Sequence, residues 1–173
     1  PILTAQEKRG EMAPDIHRCP HACAALALSS WNTIASINTH RRELTQFYID
    51  ACRLQGWNML PGIRADLPLQ KFPLFFPQAD TIRAHLKRRN IFLDDGWTGC
   101  TICPRSVDPR DLGYSEGQAP EAKSIGEQIL CLPTHPTMTQ KQAKRMICVL
   151  RETLKIGSMN SENTHGPLST FHF

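Results

Sequence analysis

Cys100 and Cys103 are the residues whose spacing most resembles a metal-binding or redox motif. A structural zinc site needs a second pair of Cys or His ligands at a comparable spacing, and no such pair follows Cys103. A redox-active pair is expected where a strand turns into a helix, whereas these cysteines lie among Gly, Thr and Pro. We therefore interpret them as incidental loop cysteines and predict no metal site.

The cysteine content indicates a reducing compartment. The chain has seven cysteines, an odd number, and most of them occupy apolar positions rather than a loop framework. Small secreted domains stabilised by disulfides show the opposite pattern. No apolar run approaches the roughly 20 residues that cross a bilayer, and the N-terminus lacks the apolar core of a signal peptide. We expect reduced thiols, a cytoplasmic location and no membrane partner.

The positive charge does not by itself indicate a nucleic-acid partner. The net charge is +4 and the pI is about 8.8. The basic residues fall into three short groups, at positions 41–42, 87–89 and 141–145. Each group lies on the solvent side or at the end of a predicted helix, where cations suit the helix dipole. A nucleic-acid site would gather them on one face with stacking aromatics, so we predict no nucleic-acid binding.

A long helical pattern covers residues 20–56. Apolar residues recur there at three- and four-residue steps, Pro20 suits a first helical turn and Gly56 suits a C-terminal stop. One helix of about 35 residues would be about 50 Å long at 1.5 Å per residue. That length exceeds the width expected for the domain. We expect the helix to project, to pack on another domain, or to break near Ser29 and Ser30.

Short strands and helices alternate after the long helix. A polar loop of unusual length, residues 94–120, separates the second strand from the helix that begins at Pro120. Asp80 and Thr139 are placed to cap two of the helices. This order predicts an α+β fold: a small, mostly antiparallel sheet covered by helices on one face and preceded by one long helix. The predicted strands are residues 71–77, 91–93 and 129–133, and the predicted helices are residues 81–90, 120–128 and 140–154.

The stretch CLPTHPTMTQKQAKRMICVLRETL, residues 131–154, passes from an apolar strand into an amphipathic helix through Leu-Pro-Thr-His-Pro. With FPLFF, IRAHLKRRNI and APEAKSIGEQ before it, this stretch resembles the small domain of the DegT/StrS family. Upstream, PDIHRCPHACAALALSSW is similar to the family's "G.N.RM" and "AALGL.QL" patterns, followed by Arg42 and Tyr48 at its "R…Y" positions. The resemblance covers about residues 14–155.

The resemblance implies the C-terminal part of an aminotransferase. Family members are pyridoxal-phosphate enzymes of the aspartate-aminotransferase fold, and many aminate keto sugars carried on nucleotides. Their Schiff-base lysine and the acidic partner of the cofactor come from a larger N-terminal domain. None of the seven lysines here lies in a serine-led loop like the family's lysine motif. We therefore predict a fragment with no catalytic residue, no bound cofactor and no transamination by itself.

The resemblance also suggests binding residues for the parent enzyme, which would be a homodimer. Arg18, with His17 beside it, takes the position of an Arg that lies near the cofactor phosphate or substrate, often across the dimer interface. An Arg pairing with a helix carboxylate is the open alternative. Trp97 lies where the family places residues at the substrate mouth, with simple loop packing as its alternative. His135 is expected to be a turn residue. Two departures from the pattern, Pro14 and Ile16, replace its Gly and Asn.

The expected layout is a lead-in segment at residues 1–19, an aminotransferase-like domain at 20–155 and a polar, mobile tail at 156–173. Our leading hypothesis is the C-terminal domain of a pyridoxal-phosphate sugar aminotransferase. It would close the active site of the N-terminal cofactor-binding domain and support the homodimer through the long helix. The alternative is a binding or regulatory module that keeps the small-domain fold without the chemistry.

Overall fold

The computed structural model describes residues 18–93, 100, 102–104 and 106–161, with side chains described as far as residue 155. This part of the chain has five α-helices, one 3-10 helix and a two-stranded sheet, which confirms the α+β prediction. The helices are α1 (His21–Trp31), α2 (Ile34–Gln55), α3 (Ala79–Arg88), α4 (Pro120–Gln128) and α5 (Gln140–Ser161). The strands are β1 (Lys71–Phe75) and β2 (Ile129–Pro133), and the 3-10 helix is Pro109–Leu112.

The sheet pairs β1 with β2 in antiparallel register, with Lys71 opposite Pro133 at one end and Phe75 opposite Ile129 at the other. Successive side chains of a strand point to opposite faces. One face therefore enters the core, and the other is half-buried or exposed. The four core-facing side chains, all fully buried, are Phe72, Leu74, Leu130 and Leu132.

The predicted strand at residues 91–93 is wrong. Asn90 adopts a left-handed φ of 58° after α3, and the three residues that follow make no ladder. These apolar residues contribute to the core without forming a strand: Leu93 is buried, and Ile91 packs against the core. The other side of β1 is instead met by an isolated antiparallel bridge between Met59 and Leu74.

Three helices supply most of the remaining core. α2 is attached to the end of β2 through Tyr48, whose hydroxyl donates a hydrogen bond of 2.8 Å to the carbonyl oxygen of Pro133. The Tyr48 ring also lies 5.4 Å from the Phe72 ring, centroid to centroid. Because these contacts bury the phenol, they raise the pKa of Tyr48 above its usual range. The core residues of α2, α3 and α5 are Leu44, Tyr48, Ile49, Cys52, Ile82, Leu86, Ala143, Met146, Val149 and Leu150.

The long helical pattern breaks between α1 and α2. The break lies at Asn32 and Thr33, just past the predicted Ser29 and Ser30. The Ser30 carbonyl accepts hydrogen bonds from both the backbone amide of Thr33, at 3.0 Å, and its hydroxyl, at 2.8 Å. These contacts close a tight turn that interrupts the helix. The predicted stop is confirmed, since Gly56 follows α2 with a left-handed φ of 66°.

The two predicted helix caps have different outcomes. Asp80 is not a cap, because α3 already begins at Ala79 and the Asp80 carboxylate pairs with Arg83. Thr139 is a cap: its hydroxyl accepts from the Gln142 amide at 3.2 Å, and its own amide donates to Gln142 Oε1 at 2.7 Å. This reciprocal pair is a capping box. α5 then continues to Ser161, so the first residues of the predicted tail are helical.

Within the described ranges, none of the helices is both long enough and apolar enough to span a bilayer.

Candidate functional site

A groove of about 220 Å³ lies at the end of the sheet where β1 begins and β2 ends. Four segments line it: α2, the start of β1, the residues after α3, and the end of β2 with the turn that follows it. The groove therefore lies between α2 and the Leu-Pro-Thr-His-Pro sequence. Its described lining is Arg41, Gln70, Lys71, Phe92, Leu93, Cys131, Pro133, His135 and Pro136.

Two adjacent arginines on α2 have different surroundings. Arg42 is exposed, and its Nε donates a 3.0 Å hydrogen bond to the backbone oxygen of Asp66, which ties the loop before β1 to the helix. Arg41 is partly buried, and its Nε is buried without an acceptor among the described residues. A buried donor without a partner costs on the order of 1–3 kcal/mol. Arg41 is thus the polar group of the groove whose position most needs explaining.

His135 has a defined tautomer in the turn after β2. The backbone amide of Thr137 donates to His135 Nδ1 at 3.2 Å, and the Thr137 hydroxyl lies 2.8 Å from the same nitrogen. A ring nitrogen that accepts a hydrogen bond carries no proton, so the neutral imidazole is protonated at Nε2. His135 also accepts a hydrogen bond from Met138 through its carbonyl, as expected of a turn residue.

The remaining groove lining consists of Lys71, the neutral amide of Gln70 and apolar side chains. Lys71 and Cys131 each engage another residue, so neither is a free group. Phe92 is 66% exposed at one side of the groove. The described lining includes no Asp or Glu. The described side chains that line the groove thus include positive charges and no negative charge.

α1 forms the second surface of interest. Its sequence, HACAALALSSW, contains no Asp, Glu, Lys or Arg, yet none of its residues is buried. Leu26, Leu28 and Trp31 are each about 70% exposed, and we call these three side chains the α1 apolar surface. A helix that is apolar all round is ordinarily a buried helix. The α1 apolar surface therefore has the composition of an interface.

The predicted binding residues lie apart from the groove or outside the described residues. Arg18 is exposed just before α1, does not line the groove, and forms no ion pair with any described carboxylate. His17 and Trp97 fall outside the described residues. Their proposed roles in binding stay predictions.

The sequence analysis assigned the Arg41–Arg42 pair to solvated helix surface, which holds for Arg42, whereas Arg41 is partly buried. A signal was present in the spacing. Arg41 precedes the buried residues Leu44 and Tyr48 by three and seven positions, so it continues their helical face. Arg42 is rotated off that face and is exposed.

The cysteines show no reactive site in the described chain. None of the seven forms a disulfide, and no cluster of three metal-binding side chains occurs among the residues described. Burial, then the nearby Cys100, raises the pKa of the Cys103 thiol, and Cys103 donates to the Val107 carbonyl at 3.6 Å. Burial likewise raises the pKa of Cys52 to about 11. A nucleophilic or redox cysteine needs a lowered pKa, so these thiols suit packing.

The described lysines do not fit a pyridoxal-phosphate site. A Schiff-base lysine must be available as the neutral amine, which burial or a neighbouring cation provides. Five of the six described lysines are exposed, and Lys123 is half-buried. Lys123 donates to Glu116 at 2.6 Å, and this carboxylate raises the pKa of Lys123.

Comparison with known proteins decides the family. The model of the DegT/DnrJ/EryC1/StrS aminotransferase family matches residues 6–151, most of the chain. The chain belongs to this family. Among solved structures, this family member is similar to DesV of S. venezuelae, solved with a ketimine intermediate, at 28% identity and a TM-score of 0.63. The alignment covers 78% of this chain and 36% of DesV.

Two further structures share the fold. A DegT/DnrJ/EryC1/StrS aminotransferase from Brucella abortus is 20% identical, with a TM-score of 0.62 over 84% of this chain and 40% of its own. NtdA from Bacillus subtilis, solved with the cofactor PMP, is 20% identical, with a TM-score of 0.53. This alignment covers 68% of this chain and 28% of NtdA. The chain thus spans two fifths or less of each of these structures. No curated protein sequence gives a significant match.

Proposed function

We propose that this chain is the C-terminal, small-domain part of a pyridoxal-phosphate aminotransferase that acts on a nucleotide-linked keto sugar. The observation that supports this most is the family match over residues 6–151, joined to described lysines that do not suit the cofactor. A larger N-terminal domain of the same protein would supply the Schiff-base lysine. The chain by itself would bind no pyridoxal phosphate and would not transaminate.

The parts of the chain would then have separate tasks. The α1 apolar surface would pack against the cofactor-binding domain and support a homodimer, where its leucines and Trp31 would leave water. Arg18, beside α1, would hold a phosphate or carboxylate bidentately, with His17 next to it. Trp97 would line the substrate mouth. None of the seven cysteines forms a disulfide, which is compatible with a cytoplasmic location.

Reading the coding DNA upstream of the Pro1 codon tests this proposal. We expect an in-frame large domain that contains a Schiff-base lysine. In that full-length enzyme, Arg18→Gln should raise KM for the phosphate-bearing substrate, whereas Arg53→Gln, a charge-matched change at an exposed ion pair of α2, should not. An upstream frame without such a domain would contradict the proposal.

A second candidate function is a binding or regulatory module that has lost the chemistry. Pro14 and Ile16, in place of the Gly and Asn of the family pattern, favour it. This function requires a reading frame that opens near Pro1. The same DNA therefore separates the two candidates.

A further inference from the structure

We propose that a second groove, between α2 and α5, docks an acidic amphipathic helix of a partner protein. This α2–α5 groove has a volume of about 370 Å³, and its described lining shares no residue with the groove at the end of the sheet. The inference concerns a separate surface and does not rest on the proposed aminotransferase function. The lining is Phe47, Asp50, Ala51, Leu54 and Gln55 from α2, with Lys144, Ile147, Cys148 and Arg151 from α5.

The shape of the α2–α5 groove suits a helix. On both helices the lining positions recur at three- and four-residue steps, so each helix turns one face toward the groove. Positions 47–55 and 144–151 each span about 10–12 Å at 1.5 Å per residue, which is about two helical turns. A third helix that lies along such a groove contacts it with side chains at the same three- and four-residue steps.

The apolar part of the lining is open to solvent. Phe47 and Ile147 are partly buried and pack against the core. Leu54 is 82% exposed, more than any other large apolar residue that the structure describes as exposed. A small-molecule site encloses most of its ligand, and a leucine this exposed does not belong to an enclosed site. An apolar helix face laid over Leu54 would remove both surfaces from water.

The charges of the α2–α5 groove favour an acidic partner. Lys144 and Arg151 are exposed on α5, and neither pairs with a carboxylate among the residues that the structure describes. Asp50, the carboxylate of the described lining, already accepts from Gln46 at 2.8 Å and lies 3.9 Å from Arg53. A docked helix with Asp or Glu along its α5 side would therefore meet two unpaired cations.

α1 of a second copy is the competing occupant. It is apolar and exposed, but it contains no Asp or Glu, so it would leave Lys144 and Arg151 without ion-pair partners. Charge complementarity therefore favours a helix of another protein over a second copy of this chain.

Fluorescence anisotropy of a labelled peptide with the 173-residue chain tests the docking. The probe is a synthetic helix of roughly 15 residues with Leu on one face and Glu elsewhere, and the comparison peptide has Lys in place of every Glu. We expect saturable binding of the Glu peptide and binding at least about tenfold weaker for the Lys peptide, whose charges oppose Lys144 and Arg151. Equal affinities, or no saturable binding of the Glu peptide, would overturn the proposal.

Truncating an exposed leucine locates the apolar contact. Leu54→Ser should weaken binding of the Glu peptide by at least about tenfold, because a leucine no longer becomes buried. The matched control is Leu28→Ser, at a leucine of α1 that is 72% exposed, and it should change the affinity by less than about twofold. Equal losses in the two variants would overturn the proposal, because they would indicate general apolar attraction.

Neutralising the two cations locates the charged contact. Lys144→Gln with Arg151→Gln should weaken binding of the Glu peptide by about tenfold at low salt and by less at high salt. Arg64→Gln with Arg110→Gln removes the same net charge from exposed ion pairs elsewhere and should change the affinity by less than about twofold. Equal losses in the two double variants would overturn the proposal, because they would indicate attraction to the net charge alone.

Sedimentation equilibrium separates a partner protein from a second copy. Leu54→Ser should leave the association constant of the chain with itself unchanged. A lower constant in this variant would mean that a second copy fills the α2–α5 groove, and it would overturn the proposal. All substituted side chains are exposed, so circular dichroism should show that every variant keeps the fold.

Discussion

α1 and α5 differ in how well their sequences match their surroundings. α5 carries charged residues on its outer side, buries a stripe that includes Met146 and Leu150, and begins with a capping box at Thr139. α1 is almost entirely apolar, has no side-chain cap, and buries nothing. A helix whose composition fits its exposure has all its partners present. One that is too apolar for its exposure has the composition of an interface.

Truncating one leucine in each helix gives the largest expected contrast. Leu150 is fully buried in the core, so Leu150→Ala should lower the free energy of unfolding by about 2–5 kcal/mol. Leu28 is 72% exposed in α1, and Leu28→Ala should stay within about 0.5 kcal/mol of the original chain. Urea denaturation of the two variants measures both. A cost above about 1 kcal/mol at Leu28 would mean that α1 already packs within the chain.

Charge placed on the α1 apolar surface should affect association rather than folding. We expect the isolated chain to self-associate through this surface, because association removes exposed apolar side chains from water. Leu26→Lys with Leu28→Lys should weaken the self-association at least about tenfold, since two apolar contacts become charged and hydrated. Sedimentation equilibrium measures the association constant. The matched control is the double change Arg88→Gln with Arg89→Gln at the end of α3, which should leave it unchanged.

Much of the α+β fold follows from local pattern. α4 begins at Pro120, β2 covers ILCLP, and the stripe of α5 is buried, all as predicted, because each has a periodicity and a boundary residue that act over short distances. The strand at residues 91–93 was wrong because an apolar run can be buried by packing alone. The groove was not predicted because α2, β1, β2 and the turn after β2 form it together, and only the tertiary fold brings these segments side by side.

The smallest expected change in the free energy of unfolding comes from the contact between α2 and β2. Tyr48→Phe removes the hydrogen bond to Pro133 and should lower the free energy of unfolding by about 1 kcal/mol at neutral pH. Burial raises the pKa of Tyr48 above its ordinary value of 10.0, so the folded state disfavours the ionised phenol. Stability is therefore fully present below pH 10 for this group and falls as the pH rises further.

Thermal or denaturant unfolding between pH 7 and pH 11.5 would reveal this dependence. Cys52, with a pKa raised to about 11 from an ordinary 9.0, should add a decline that begins near pH 9. Tyr48→Phe should keep the Cys52 decline and lose only the additional decline of Tyr48, which begins near pH 10. Parallel curves for the variant and the original chain would refute the burial of the Tyr48 hydroxyl. α1, which has no buried titratable group, should contribute nothing to either decline.

Reductive trapping of pyridoxal phosphate tests the central claim most directly, namely that this chain contributes binding surface without cofactor chemistry. The purified chain is incubated with pyridoxal phosphate, reduced with borohydride, and mapped by mass spectrometry, with DesV as the positive control. We predict weak, unsaturable labelling spread over the exposed lysines. Stoichiometric labelling of a single lysine, saturating at low cofactor concentration, would contradict the account.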